Sequence, residues 1–293
     1  MRMTDTDFLA EARRALERVV PGAPLEPVVA LGSGLDHNAY LVGHGFVLRV
    51  AADADAEREA RLLRLLAKRC PVAVPKPVAS GSSWLIYPSL LGVPLIDVSA
   101  ERRAELAAPV AATLGRVLGC LWAIPARAVD GLVPDDDTPL EDWRDEAVAL
   151  LDEIRDAVPA PARRGVDAFL SGPVPERASA RVFSHNDLGM EHVLVDQNFG
   201  RVTGIIDWSD AAIVDPAKDL GLILRDLGAP AFDIALRLCG SMLPTREALA
   251  ERAAFYARCL TIEDLAHGLR SGQAKYIDAS RAAIVRFFGE RHP

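Results

Sequence analysis

The chain has 293 residues, half of them hydrophobic, which excludes a disordered polymer and leaves length for two lobes with a sizeable core. Its 41 acids against 33 bases give a formal charge of −8, which works against nucleic acid as a partner. The same charge draws cationic small molecules, weakly because salt screens it.

The first residues carry acids and no apolar signal core, and no run of about eighteen apolar residues follows, so neither secretion nor a membrane span is expected and the location expected is cytoplasmic. Residues 5–19 have helical spacing, with Phe8, Leu9, Ala12, Leu16 and Val19 near one face. Residues 28–52 alternate short apolar runs with glycine-rich turns and predict two or three antiparallel strands. Within them, "GSGLDHNAY" (32–40) is neither a dinucleotide-binding turn, since a strand follows it, nor a Walker A loop, since no G-K-[ST] occurs. Taken alone it is a hairpin turn, although Gly32, Ser33 and Gly34 would let backbone N–H groups approach a phosphate.

Residues 56–69 predict a helix on which Glu59 shares a face with Leu62, Leu63 and Leu66, while Glu57 joins the polar side. Residues 82–88 predict a strand, and "SLLGVP" after it reads as a linker. Long helical patterns then cover roughly 100–124, 139–157, 216–228 and 245–270. The expected fold is therefore α+β and bilobal: a small β-rich N-terminal lobe over 1–88 and a larger, mainly helical lobe over 89–293. Cys70, Cys120, Cys239 and Cys259 are scattered without a C-x-x-C pair, so reduced thiols are expected rather than a disulfide framework or zinc site.

The densest chemistry lies in "SHNDLGMEHVLVD" (184–196). "HVLV" and "VTGIID" (202–207) are apolar strand patterns, and "DQNFGR" between them has turn chemistry. A turn centred between Phe199 and Gly200 sets His192 opposite Asp207, next to the loop that holds Asp187. Buried carboxylates need a cation or backbone N–H groups, so this convergence points to a site. Downstream, Asp215-Pro216 is a helix-start signal, and Asp219 in the first turn is dipole-favoured or loop-bracing. Trp208 reads as core.

These residues resemble the aminoglycoside and macrolide phosphotransferases, relatives of the protein kinases. The catalytic-loop pattern H-x-D-x-x-x-x-N falls on His185-Asn186-Asp187-Leu188-Gly189-Met190-Glu191-His192, and "GIIDWSDAAIVDPAKDLG" carries the family's metal-binding aspartate as Asp207. The resemblance covers most of the chain and is strongest over 182–228. It implies a protein-kinase-like fold, with Asp187 and His185 as catalytic residues, Asp187 taking the acceptor hydroxyl's proton. His192 and Asp207 would hold Mg²⁺ bridging the phosphates of ATP or GTP. Macrolide phosphotransferases are similar in carrying histidine where the usual residue is asparagine. Asn186 stands where glycine or arginine is usual.

By the same resemblance Arg49 in "FVLRV" replaces the phosphate-binding lysine and pairs with Glu59, and "LIYPSLLG" (85–92) matches the interlobe hinge, with the Pro88 carbonyl and the Leu90 N–H meeting the purine. The implied activity is transfer of the γ-phosphate to a hydroxyl of an antibiotic, conferring resistance. Asp210, Glu191, Glu263 and Asp264 are candidates to face a cationic, hydroxylated small-molecule acceptor. The competing readings are a kinase of a non-antibiotic metabolite (choline, a sugar or an amino-alcohol) and a kinase-like nucleotide-binding pseudoenzyme, the latter supported by His192 and Arg49.

Overall fold

The computed structural model describes residues 5–33, 37–43, 45–51, 56–240 and 245–289. The N-terminal part runs α1 (Asp5–Val19), β1 (Val28–Ser33), β2 (His37–Val42), β3 (Phe46–Ala51), α2 (Ala56–Leu66), β4 (Ala79–Ser80) and β5 (Trp84–Pro88). Its strands form one antiparallel sheet in the order β1-β2-β3-β5-β4. Alternation along β3 and β5 sorts their side chains. Leu48, Val50, Trp84 and Ile86 join Ala12 and Leu16 of α1 in one core. Leu85, Tyr87 and Val47 pack with Ala56 on the opposite face, and Arg49, paired across to Leu85, points there too. Val19, expected on the packed face of α1, is 53% exposed because it closes the helix beyond the contact with the sheet.

The second part runs β6 (Val93–Pro94), α3 (Ala100–Trp122), α4 (Leu140–Ile154), α5 (Arg163–Leu170), β7 (Val182–Ser184), β8 (Val193–Asp196), β9 (Arg201–Ile205), β10 (Ala212–Val214), α6 (Ala217–Leu227), α7 (Ala229–Leu238), α8 (Arg246–Ser271) and α9 (Ala274–Phe288). The small sheets are β6-β8-β9 and β10-β7. The fold is thus an antiparallel sheet region followed by a mainly helical one. Leu62, Leu63 and Leu66 of α2 belong to the larger core with α3, α6 and α8, so α2 fastens the sheet region to the helical body.

The stretch expected as a linker does more than connect. Val93 pairs with Val195, and the Leu91 carbonyl accepts from Thr203 Oγ1. Pro94 is tolerated because β6 lies at the sheet edge. Gly92, at φ 110°, allows the crossing, since a Cβ there would fall 2.3 Å from Thr203 Oγ1.

The β8–β9 hairpin exists, but its register differs from the expectation. Asp196 pairs with Arg201, so the turn centres one residue earlier, and its Oδ1 accepts from the N–H groups of Asn198 and Phe199 while Gly200 takes φ 64°. A shift between Leu194 and Val195 then sets Val193 opposite Ile205. His192 therefore faces Ile206, whose N–H donates to the His192 carbonyl, and not Asp207. An Asx turn had competed with the glycine for the loop apex.

Candidate active site

Residues 185–192 link β7 to β8 as an irregular loop whose backbone is tied down by acids from α6. Asp219 is fully buried and accepts from Ser184 Oγ at 2.5 Å, Asn186 N at 3.0 Å and Leu188 N at 3.0 Å. Three donors replace the water this carboxylate has lost. Asp226 Oδ2 accepts from Met190 N at 2.8 Å. Asn186 takes φ 69°, and its Nδ2 donates to Asp136 Oδ2 and to the Asp210 carbonyl. Asp207, at φ 59°, is the other non-glycine residue with a left-handed backbone among the described residues. Such conformations persist only where the surroundings hold them, and Asn186 is held here by its bonds to Asp136 and the Asp210 carbonyl.

The left-handed turn at Asp207 restores what the register removes. Although His192 faces Ile206 across the hairpin, His192 Nε2 lies 3.8 Å from Asp207 Oδ2. His192 Nδ1 donates to the Asp187 carbonyl at 2.8 Å and lies 3.4 Å from Asp187 Oδ2. Asp187, 39% exposed at its side chain, is the most open of the three. Across the cleft, Arg49 Nη1 bonds Glu59 at 2.5 Å and Arg49 Nη2 bonds Asp207 Oδ1 at 2.8 Å. The pairing of Arg49 with Glu59 follows the helical face assigned to Glu59. Ser209 Oγ donates to the same Asp207 oxygen.

The low-dielectric wall and the Glu191 and Asp210 carboxylates push Asp187 up to about 7, against the pull of His192. Burial works against the His192 imidazolium, but Asp187, Glu191 and Asp207 outweigh it and raise the ring to about 9. His185 is fully buried with its ring 4.5 Å from that of Trp208, and its Nε2 meets the Ile206 carbonyl at 3.0 Å. Burial lowers its pKa, so the ring is neutral, donates from Nε2 and holds the strand end that leads to Asp207. His185 therefore does not reach the cleft, and its place among groups that touch reactants is corrected to positioning.

The four acids expected to face an acceptor separate. Asp210 is exposed beside the cleft, with Oδ2 3.5 Å from Ser209 Oγ. Glu263 is half-buried, and burial followed by Glu146 raises its pKa. Asp264 is instead bound to Arg225 Nη1 at 2.8 Å, and the same guanidinium holds Asp226 at 2.7 Å and lies 3.7 Å from Glu191 Oε2. Asp264, at 21% side-chain exposure, is thus engaged by the same guanidinium as Glu191 and reaches the surface only in part. Burial opposes ionisation of Glu191, yet Arg225 and His192 hold its pKa below the ordinary value. Of the nucleotide-side candidates, Ser33 ends β1, Pro88 ends β5, and Leu90 packs over Gly204 of β9. Gly34 lies outside the described residues, as does the side chain of Ser33.

The donor set suits a divalent cation. Asp207 offers a carboxylate whose Oδ1 is taken by Arg49 and Ser209 and whose Oδ2 faces the His192 imidazole. Asp187, Glu191 and His192 also each offer a ligand atom, all within 4.8 Å of one another. Arg225, Asp226 and Asp136 escaped the sequence reading. The signal for the first two was present in "DLGLILRDLG", where adjacent opposite charges interrupt an apolar helix and must be paired once buried.

The description "phosphotransferase enzyme family" belongs to the family model that matches residues 27–254. Viomycin phosphotransferase of Streptomyces vinaceus is 28% identical over 245 residues, covering 78% of this chain and 83% of the relative. Among solved structures, the macrolide 2′-phosphotransferase MphH from Brachybacterium faecium is 27% identical, with a TM-score of 0.62 over 94% of this chain and 97% of that one. The GDP and kanamycin complex of APH(2″)-IIIa superposes with a TM-score of 0.65 at 22% identity, over 94% of this chain and 98% of that one.

Proposed function

Because the chain belongs to the phosphotransferase enzyme family and is an enzyme acting on hydroxyl groups, we propose that it moves the γ-phosphate of ATP or GTP to a hydroxyl of a basic antibiotic of the macrolide, aminoglycoside or viomycin type. The reading rests on one observation: Asp187, His192 and Asp207 converge on one cleft, with Arg49 entering from the opposite wall.

Each side chain then has a task. Asp187 accepts the proton of the acceptor hydroxyl as the oxygen–phosphorus bond forms and the bond to the β-phosphate oxygen breaks. Arg49, oriented by Glu59, meets the nucleotide's phosphates with its planar fork. His192 and Asp207 are the residues that would hold Mg²⁺, which supplies charge neutralisation on the phosphates when bound. Asp219, Asp226 and Asn186 fix the loop that aims Asp187, and His185 fixes the strand end that aims Asp207. Residues 1–88, with Ser33, Gly34, Pro88 and Leu90, form the nucleotide side, and 89–293 the acceptor side. Asp210, Glu191 and Glu263 give the acceptor side a negative lining suited to a protonated amine. Incubation with ATP or GTP, Mg²⁺ and a panel of such antibiotics, read by mass spectrometry, should show gain of one phosphoryl group on at least one compound. Absence of transfer to every member removes the antibiotic reading.

A further inference from the structure

We infer that Asp136, on the connector between α3 and α4, is a positioning residue for phosphoryl transfer: through Asn186 it fixes the left-handed turn of the chain immediately before Asp187. The inference rests on the phosphotransferase reading and adds to it a residue outside the catalytic loop, the hairpin and the Arg49 wall.

Asn186 is a demanding residue for its place. Glycine takes a φ of 69° freely, whereas asparagine adopts it with strain and persists there only where its surroundings hold it. The residue is 7% exposed, and both Nδ2 hydrogens are engaged, with Asp136 Oδ2 at 3.2 Å and the Asp210 carbonyl at 3.0 Å. Both partners are acceptors, so the amide cannot be turned over, and Oδ1 stays buried without a partner among the described residues. Strain and an unpaired buried acceptor both weigh against stability. What the side chain supplies is a link from the residue next to Asp187 to two other segments of the chain.

Asp136 is prepared to receive that link. Its N–H donates to the Ile213 carbonyl at 2.9 Å, and the Ile213 N–H donates to the Pro134 carbonyl at 3.0 Å, which stitches the connector alongside β10. β10 pairs with β7, the strand that leads into the loop, with Ala212 opposite Ser184. Asp136 Oδ1 accepts from Thr138 N at 3.2 Å and from Thr138 Oγ1 at 2.7 Å, so the carboxylate is fixed by its own turn and Oδ2 meets Asn186. Burial opposes its ionisation, but the Thr138 bonds, the Lys218 ammonium and Asn186 hold its pKa below the ordinary value, and it stays a charged acceptor at neutral pH. Without it, Nδ2 of Asn186 keeps only the carbonyl of the exposed Asp210. A displacement of Asp187 by about 1 Å is enough to slow transfer about 10²-fold.

The test is a double-mutant cycle on the full chain, read by single-turnover transfer to a phosphorylated member of the antibiotic panel, by nucleotide affinity and by amide hydrogen exchange over 185–192. Asp136→Ala should slow transfer about tenfold or more and speed exchange in the loop, with nucleotide affinity unchanged. Thr138→Ala, which removes only the hydroxyl bond to Oδ1, should leave the transfer rate as it is. Asn186→Gly suits the turn and deletes both side-chain bonds, so it should slow transfer at least as much as Asp136→Ala. In that background Asp136→Ala should change the rate by less than about twofold, because the link is already gone. A wild-type rate in Asp136→Ala or in Asn186→Gly overturns the inference, and so does a loss of nucleotide affinity in step with the rate. An equal fall in both backgrounds also overturns it, because Asp136 would then act by another route. Should Asp136→Ala fail to fold, the rate of Asn186→Gly decides. If the wild type transfers to no member of the panel, the antibiotic reading fails while exchange still decides the role of Asp136: exchange in Asp136→Ala equal to that of the wild type overturns it, and faster exchange upholds it.

Discussion

The two walls of the cleft are built on different principles. On the C-terminal wall, carboxylates of α6 hold main-chain N–H groups: Asp219 takes those of Asn186 and Leu188, and Asp226 takes that of Met190. On the N-terminal wall, among the described residues, one guanidinium reaches across, with Arg49 joined to Glu59 behind it and Asp207 in front. The first device fixes backbone and has almost no freedom once buried. The second is a pair of ion contacts that phosphates can replace. A phosphotransferase needs this asymmetry, because the group that takes the proton must stay in place while nucleotide enters and leaves.

Breaking the rigid wall should cost most. Asp219→Ala leaves the N–H groups of Asn186 and Leu188 buried without an acceptor, at about 1–3 kcal/mol each. Urea unfolding should show a loss of that size, with transfer activity falling alongside it. A stability within experimental error of the wild type would mean that the loop is held by something else.

The rigid wall also sets the pH response. Burial and the neighbouring acids raise Asp187 to about 7, and only its ionised form can accept a proton. kcat/KM should therefore fall about tenfold per pH unit below about 7, whereas an ordinary carboxylate would give a limb near 4. A flat profile down to pH 5 would contradict the shift.

Loosening the other wall should be milder. Arg49→Lys keeps the charge and loses the fork that serves Glu59 and Asp207 together. Nucleotide KM should rise about three- to tenfold with little change in unfolding stability, since the side chain still carries its cation. An equal fall in stability would show that the two walls are alike. The smallest effect belongs outside both. Lys275–Asp97 is a half-exposed pair, and Lys275→Ala should change stability by less than about 0.5 kcal/mol and leave kinetics unchanged.

The same asymmetry governs how much the sequence disclosed. Local signals carried the helices over 5–19, 56–69, 100–124, 139–157, 216–228 and 245–270, each matched within a few residues, and the antiparallel strands between 28 and 52, which number three where two or three were expected. They carried Glu59 towards Arg49, because helical periodicity sets the face. Helices α5, α7 and α9 were missed: short or alanine-rich, they depend on packing against α4, α3 and α8 more than on a periodic stripe of their own. The hairpin register was missed by one residue, because the Asp196 side chain, and not Gly200 alone, decides where the chain turns. Asp264 looked like a free acid, because its partner Arg225 lies 39 positions away on another helix. Contacts between distant segments leave no spacing to read.

The most direct measurement is single-turnover phosphoryl transfer by Asp187→Asn, with nucleotide binding followed separately by thermal shift. Loss of proton acceptance should lower the transfer rate by about 10²–10⁴-fold while the nucleotide stabilises the variant as it does the wild type. Wild-type transfer by the variant would contradict a proton-accepting role for this carboxylate.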